Sequence, residues 1–476
     1  MRAPTERHTP DLAIIGAGSG GLSVAAGAAQ MGASVVLIEA GEMGGDCLNY
    51  GCVPSKAILA AAKKAHAHRH SAAFGVADHE PEVDYAAVMD HVHKAIATIA
   101  PHDSQERFEG FGITVIRAKA QFISPTEVEA GGHIVAPRRF VIATGSSPMV
   151  PPIPGLGETP YLTNESLWEN RTLPEHLIVI GGGPIGLEQA QAHARLGSRV
   201  TVLEAFKALA KDDPELAAVA LDGLRAEGID IREGAKVTGA RKTETGVALT
   251  LEDGTEIEGS HLLVAAGRRA NVDLNLEAAN VTYTPRGIEV DKSMRSPSNR
   301  KVYAIGDVAG GLQFTHVANY HAGLVIRNAL FRMPVTASTA HIPWVTYTDP
   351  EIAQAGMTEA EAREAHGDVL EVHRFPFADN DRAVAEGRRE GLAKVMVGKK
   401  GKILGASIVG PSAGELILPW AMALANGLKI GAMANTVAAY PTLSEVSKRA
   451  AGAYYAPRLF ESGFVKTAVK LLAKLG

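Results

Sequence analysis

Asp11-Leu12-Ala13-Ile14-Ile15-Gly16-Ala17-Gly18-Ser19-Gly20-Gly21 is a short apolar run that feeds directly into a glycine-rich turn. The apolar residues predict a buried strand, and the small residues after Gly21 predict a helix. Gly16 permits the tight turn, Gly18 lets the backbone approach a pyrophosphate, and Gly21 allows the helix to pack closely on the strand. The helix N-terminus supplies amides that suit a phosphate. A second strand, Ser34 to Ile38, closes on Glu39, placed to bond a ribose hydroxyl.

The same unit recurs. Leu177 to Ile180 leads into Gly181-Gly182-Gly183-Pro184-Ile185-Gly186, a helix extends to about Leu196, and Arg199 to Leu203 ends on Glu204. Gly181, Gly183 and Gly186 repeat the roles of Gly16, Gly18 and Gly21, so two dinucleotide sites are expected in an α/β chain. A carboxylate at position 204 bonds the bare 2'-hydroxyl of NAD and repels the 2'-phosphate of NADP, which favours NADH; Lys207 is the nearby residue that opposes this preference. Between the units, the strand Phe140 to Thr144 ends at Gly145, before the proline-rich Pro148 to Pro154. Leu262 to Arg268, with Gly267 at its turn, is the matching return.

Only two cysteines occur, both within Gly44-Gly45-Asp46-Cys47-Leu48-Asn49-Tyr50-Gly51-Cys52-Val53-Pro54-Ser55-Lys56. One pair in a long chain points to catalysis or redox sensing rather than to a structural scaffold. They read as lying on the first turn of one helix, where thiol acidity is raised. A hydrophobic fraction of 46%, 50 glycines and a net charge of -5 describe a soluble multidomain protein without the basic excess expected for nucleic-acid binding. No apolar run is long enough to insert in a membrane, and polar Met1 to Pro10 lacks a signal peptide's apolar stretch, so the expected location is cytoplasmic.

The cysteine segment resembles the redox motif of the flavin-dependent pyridine nucleotide-disulfide oxidoreductases, the family of dihydrolipoamide dehydrogenase, glutathione reductase and mercuric reductase. Its usual form is Gly-Gly-Thr-Cys-Leu-Asn-x-Gly-Cys-x-Pro-Ser-Lys, and Asp46 is the one departure. The resemblance continues in family order to Glu445. It implies two Rossmann-like dinucleotide-binding domains, for FAD and NAD, plus a C-terminal α+β dimerisation domain. The implied boundaries are 1–150 (FAD, first part), 151–272 (NAD), 273–343 (FAD, second part) and 344–476 (interface of a homodimer). Thr348-Asp349-Pro350-Glu351 and Gly410 to Glu415 fall in the last.

The resemblance further implies a Cys47–Cys52 redox disulfide, with Cys52 the charge-transfer thiol next to the flavin and Cys47 the outer thiol that exchanges with substrate. Lys56 would sit near the flavin and pair with Glu188. Ala120, Thr144, Gly145, Asp307 and Thr315 would complete the FAD site, Asp307 within the second fingerprint Tyr303 to Asp307.

The family's C-terminal His-Pro-Thr-x-x-Glu is here Tyr440-Pro441-Thr442-Leu443-Ser444-Glu445. Tyrosine titrates near ~10 against ~6.5 for histidine, so Tyr440 donates a proton readily but is a poor general base. Glu445 then has no histidine to orient, and bonding Tyr440 is one role left to it. The leading expectation is electron passage between NAD(H) and a dithiol/disulfide substrate, as in dihydrolipoamide dehydrogenase. Alternatives are reduction of a soft metal ion such as mercuric ion, a diaphorase acting on quinones, and a redox-sensing flavoprotein. No metal-binding residues are assigned: His66, His68 and His70, with His91 and His93, read as solvated helix faces. Phe464 to Leu475 reads as an interface helix or frayed tail, and Asp46 as solvated, cation-binding or capping the redox helix.

Overall fold

The computed structural model describes residues 6–475. Two parallel sheets carry the two glycine turns. In the first, strand order is Val302–Ala304, Arg139–Ile142, Leu12–Ile15, Val35–Glu39 and Thr114–Arg117, all parallel. Val302–Ala304 arrives only after the second unit, so the chain leaves this domain and comes back. An antiparallel pair, Ser146–Pro148 with Arg268–Ala270, joins the outgoing and returning segments. The central strands Leu12–Ile15 and Val35–Glu39 are buried on both faces, which is why they read as continuous apolar runs rather than alternating ones.

The second unit orders Asp230–Glu233, Arg199–Glu204, His176–Ile180 and His261–Val264 in parallel, with helix Pro184–Leu196 following its glycine turn. Beyond it lies a five-stranded antiparallel sheet, Pro343–Thr346, Glu351–Gly356, Lys402–Gly410, Leu392–Gly398 and Glu371–Pro376, over a separate core built around Trp420 and Phe377.

The two cysteines do not share one helix. Cys47 lies in a short helix, Gly45–Asn49, and Cys52 opens the long helix Cys52–Arg69. In an uninterrupted helix, residues five apart lie ~140° apart around the axis and face different directions. The break at Tyr50 and Gly51 instead turns Cys47 back toward Cys52; a Cβ on Gly51 would fall 2.8 Å from Asp46 Oδ2 and 3.1 Å from the Asp46 carbonyl oxygen, so a side chain there would be crowded. At the other end, Gly463–Leu472 is a formed helix rather than a frayed tail, and its Phe464, Val469, Leu471 and Leu472 are exposed.

Buried ion pairs join the second unit to the C-terminal sheet. Lys394, 2% exposed, reaches Asp213 at 2.7 Å and Glu359 at 2.9 Å. Asp213 caps helix Pro214–Ala226 and is itself buried. Lys394→Met leaves the buried Asp213 without its cation, while Glu359 keeps Arg363 and Arg374, and is expected to cost about 3–5 kcal/mol. Calorimetry checks this: the unfolding midpoint should fall, and an unchanged midpoint would refute the role of this contact in joining the domains.

Candidate functional site

Each parallel sheet ends at a turn whose backbone is built for close approach. A Cβ on Gly21 would fall 1.8 Å from the Gly16 carbonyl oxygen, and one on Gly186 2.0 Å from that of Gly181. Only glycine lets either helix start this close to its strand. The helices Ser19–Gln30 and Pro184–Leu196 lack a side-chain cap and an acidic residue in the first turn. Their leading amides are therefore left for an anionic ligand, the arrangement a pyrophosphate needs.

The acids that close the second strands are held alike. Glu39 accepts hydrogen bonds from the amides of Ala17 and Gly41 (2.6 Å), and Glu204 from those of Gly182 and Phe206, both 2.8 Å. Both carboxylates are thereby set at the lip of their glycine turn. Lys207 is mostly exposed and lies 3.9 Å from Glu233.

The two turns open into one cavity of about 2180 Å³. This exceeds the ~300–1,000 Å³ common for a single small ligand and suits two dinucleotides. Gly16, Gly18, Glu39, Ala120, Thr144, Gly145, Asp307 and Thr315 line it, as do Gly181, Gly183, Glu204 and Gly267. Gly21 and Gly186 lie behind the wall, as their packing role requires. Cys47, Cys52, Lys56 and Glu188 line the same cavity.

In this structure the cysteines are a dithiol. The Cys47 thiol hydrogen-bonds Cys52, which lowers the Cys52 pKa to about 6 and raises that of Cys47. The Thr315 hydroxyl, 3.4 Å from Cys52 Sγ, and the Lys56 ammonium also favour the Cys52 thiolate, while burial opposes it. Lys56 bonds Glu188 at 2.7 Å and lies 4.2 Å from the centre of the Tyr347 ring. The second oxygen of Glu188 accepts the Tyr347 amide at 3.0 Å. Tyr347 carries no short-range sequence signal, because its role comes from a distant part of the chain.

Asp46 keeps part of its side chain in solvent, 39% exposed. It pairs with the largely buried Arg268 at 3.1 Å and accepts from Asn164 at 3.2 Å. Arg268 also donates to Ser146 Oγ (2.8 Å) and lies 4.0 Å from Asp307, whose carboxyl is pushed up by burial. An acid beside the thiols thus meets a cation delivered by the returning segment.

Tyr440 and Glu445 stand apart from this cavity within the chain. Tyr440 is 70% exposed, and its hydroxyl donates to Asp381 at 2.9 Å rather than to Glu445, which starts the helix Glu445–Ala453. The hydrogen bond and charge of Asp381 raise the Tyr440 pKa further. His66 and His70 stack on each other with ring centres 4.1 Å apart.

A sequence profile described as pyridine nucleotide-disulphide oxidoreductase matches residues 10–322, and that family's dimerisation domain matches residues 342–451. The chain is 38% identical to the dihydrolipoyl dehydrogenase of Thermus scotoductus, over 94% of this chain and 98% of that protein. It is 36% identical to the mercuric reductase of Streptomyces lividans, over 94% and 96%. The Cu(II) complex of the HOCl-induced flavoprotein disulfide reductase RclA from Escherichia coli superposes with a TM-score of 0.83 at 28% identity, covering 92% of this chain and 98% of that one. With two glycine turns, a thiol pair and a lysine–glutamate pair around one cavity, this chain belongs to the FAD-dependent pyridine nucleotide-disulphide oxidoreductases.

Proposed function

We propose that this enzyme takes electrons from NADH in preference to NADPH and delivers them through FAD and the Cys47–Cys52 pair to a disulfide substrate. The balance is NADH, a proton and a disulfide going to NAD⁺ and a dithiol, reversible in direction. The observation that carries the reading is the thiol pair sharing one cavity with both glycine turns and with the Lys56–Glu188 pair. When bound, the flavin supplies the two-electron relay between hydride donor and disulfide.

This chain's residues prepare the thiols. Cys52, accepting from Cys47 and Thr315 and facing the Lys56 charge, is a thiolate at neutral pH. Cys47 keeps its proton and serves as the outer, exchanging thiol. When it attacks a substrate sulfur that proton must leave, and in a homodimer Tyr440 would present its hydroxyl to the partner's thiols. Exposed Leu418, Met422 and Val437, in the segment matching the dimerisation domain, support pairing of two copies. Among the described residues no helix is long and apolar enough to cross a membrane, and a cytoplasmic enzyme is the reading we adopt.

A second reading is reduction of a soft metal ion held between the two thiolates. Tyr440 favours it: with its pKa raised by Asp381 it cannot accept the Cys47 proton at neutral pH, whereas a soft cation displaces thiol protons directly.

Steady-state NADH oxidation by the FAD-loaded protein should respond to lipoamide or another disulfide and be abolished by Cys47→Ser. Tyr440→His should raise the disulfide rate about 10-fold or more. Turnover with mercuric ion alone would select the second reading, and quinone turnover that survives Cys47→Ser would refute both. Glu204→Arg should reverse the nucleotide preference, read as kcat/KM for NADPH against NADH; an unaltered ratio would remove Glu204 from that role. In the reduced protein, alkylation followed at each cysteine by mass spectrometry should show Cys52 ionising near about 6. Below that pH the thiolate is lost, and Thr315→Val should shift the midpoint upward toward the ordinary ~8.5. An ordinary midpoint in the unsubstituted protein would refute the assigned thiolate.

A further inference from the structure

Outside the cavity, one cluster among the described residues gathers three side chains able to hold a metal ion: Glu6, His8 and His133. Glu6 and His8 are two positions apart on strand Glu6–His8, so both project from one face, while Arg7 on the other pairs with Glu127. That strand runs parallel to His133–Val135, with Glu6 opposite His133 and His8 opposite Val135. His8 Nε2 faces His133 Nδ1 at 3.2 Å. A Glu6 carboxylate oxygen lies 3.8 Å from the first nitrogen and 3.7 Å from the second.

We propose that Glu6, His8 and His133 form a binding site for a divalent transition-metal ion of the imidazole-preferring class, with Zn²⁺ the ion the donor set fits best. A tetrahedral zinc with bonds of ~2.0–2.1 Å places its ligand atoms ~3.3–3.4 Å apart. The two imidazole nitrogens already lie near that spacing. The Glu6 oxygen must close by a few tenths of an ångström, and its side chain, 61% exposed, is free to move. Two neutral imidazoles and one carboxylate leave a fourth position for water.

The site lies at the outer edge of a four-stranded sheet ordered Glu6–His8, His133–Val135, Glu127–Ala130, Ala120–Ser124, whose far strand carries Ala120 at the cavity wall. A metal there would not touch the thiols. It would tie the N-terminal strand to a strand 125 residues away and stabilise the folded form.

The test uses metal-stripped, FAD-loaded protein with the Cys47–Cys52 disulfide oxidised, so that thiols do not compete, titrated with Zn²⁺ by calorimetry. One site per chain is expected, weakened about 10-fold or more by His8→Ala and by His133→Ala, with NADH oxidation unchanged. Glu6→Gln keeps both imidazoles and should weaken binding less. Zn²⁺ should raise the thermal midpoint of the unsubstituted protein more than that of either histidine variant, and Co²⁺ should give the visible bands of a four-coordinate ion in the unsubstituted protein but not in either histidine variant. No saturable binding, or equal affinity in the unsubstituted protein and both histidine variants, would overturn the proposal.

Discussion

The contact between Lys56 and Glu188 is the constraint on which the arrangement of the site depends. Glu188 is buried, and an isolated carboxylate there would cost several kcal/mol. It is satisfied from two directions, by the Lys56 ammonium at 2.7 Å and the Tyr347 amide at 3.0 Å. Lys56 stands on the helix that Cys52 opens, Glu188 on the helix after the second glycine turn, and Tyr347 in the C-terminal part. One buried charge therefore sets the distance between thiols and nicotinamide site and holds the third domain against both. Arg195, which bonds Glu227 and Asp349, repeats the same logic further along the helix of Glu188.

Electrostatics divide labour between the two thiols. A single proton shared between Cys47 and Cys52 stabilises one thiolate only; the Thr315 hydroxyl favours either thiolate, and the Lys56 charge favours that of Cys52. Asp46 works against this from close by, raising both thiol pKa values, and Arg268 limits the effect by pairing with it. Acid and base come from different domains, so the thiol environment is coupled to the position of the returning segment Arg268–Ala270.

The repeated glycine turn was legible because its physics is local. A strand, a turn that excludes Cβ atoms, a helix with free amides and an acid two strands' length away follow one another along the chain, and each unit can be read without the other. The thiol motif, the crossover at Gly145 and the place of Glu204 at the end of its strand were legible in the same way. The paired cysteines on one helix turn were misread, because helix periodicity alone does not show that Gly51 breaks the helix to let the thiols meet.

The sequence by itself determined the two nucleotide units, the redox pair and the residue types around them, since these depend on neighbours within about twenty positions. Only the tertiary structure decided that Asp46 is answered by Arg268, that Tyr347 completes the bonding of Glu188, that Tyr440 leans on Asp381, and that Glu6, His8 and His133 converge. Glu6 and His8 apart, these contacts join residues 59 to 222 positions distant, as from Tyr440 to Asp381 and from Asp46 to Arg268. No local pattern encodes which distant side chain fills a given space; sheet order and domain packing do.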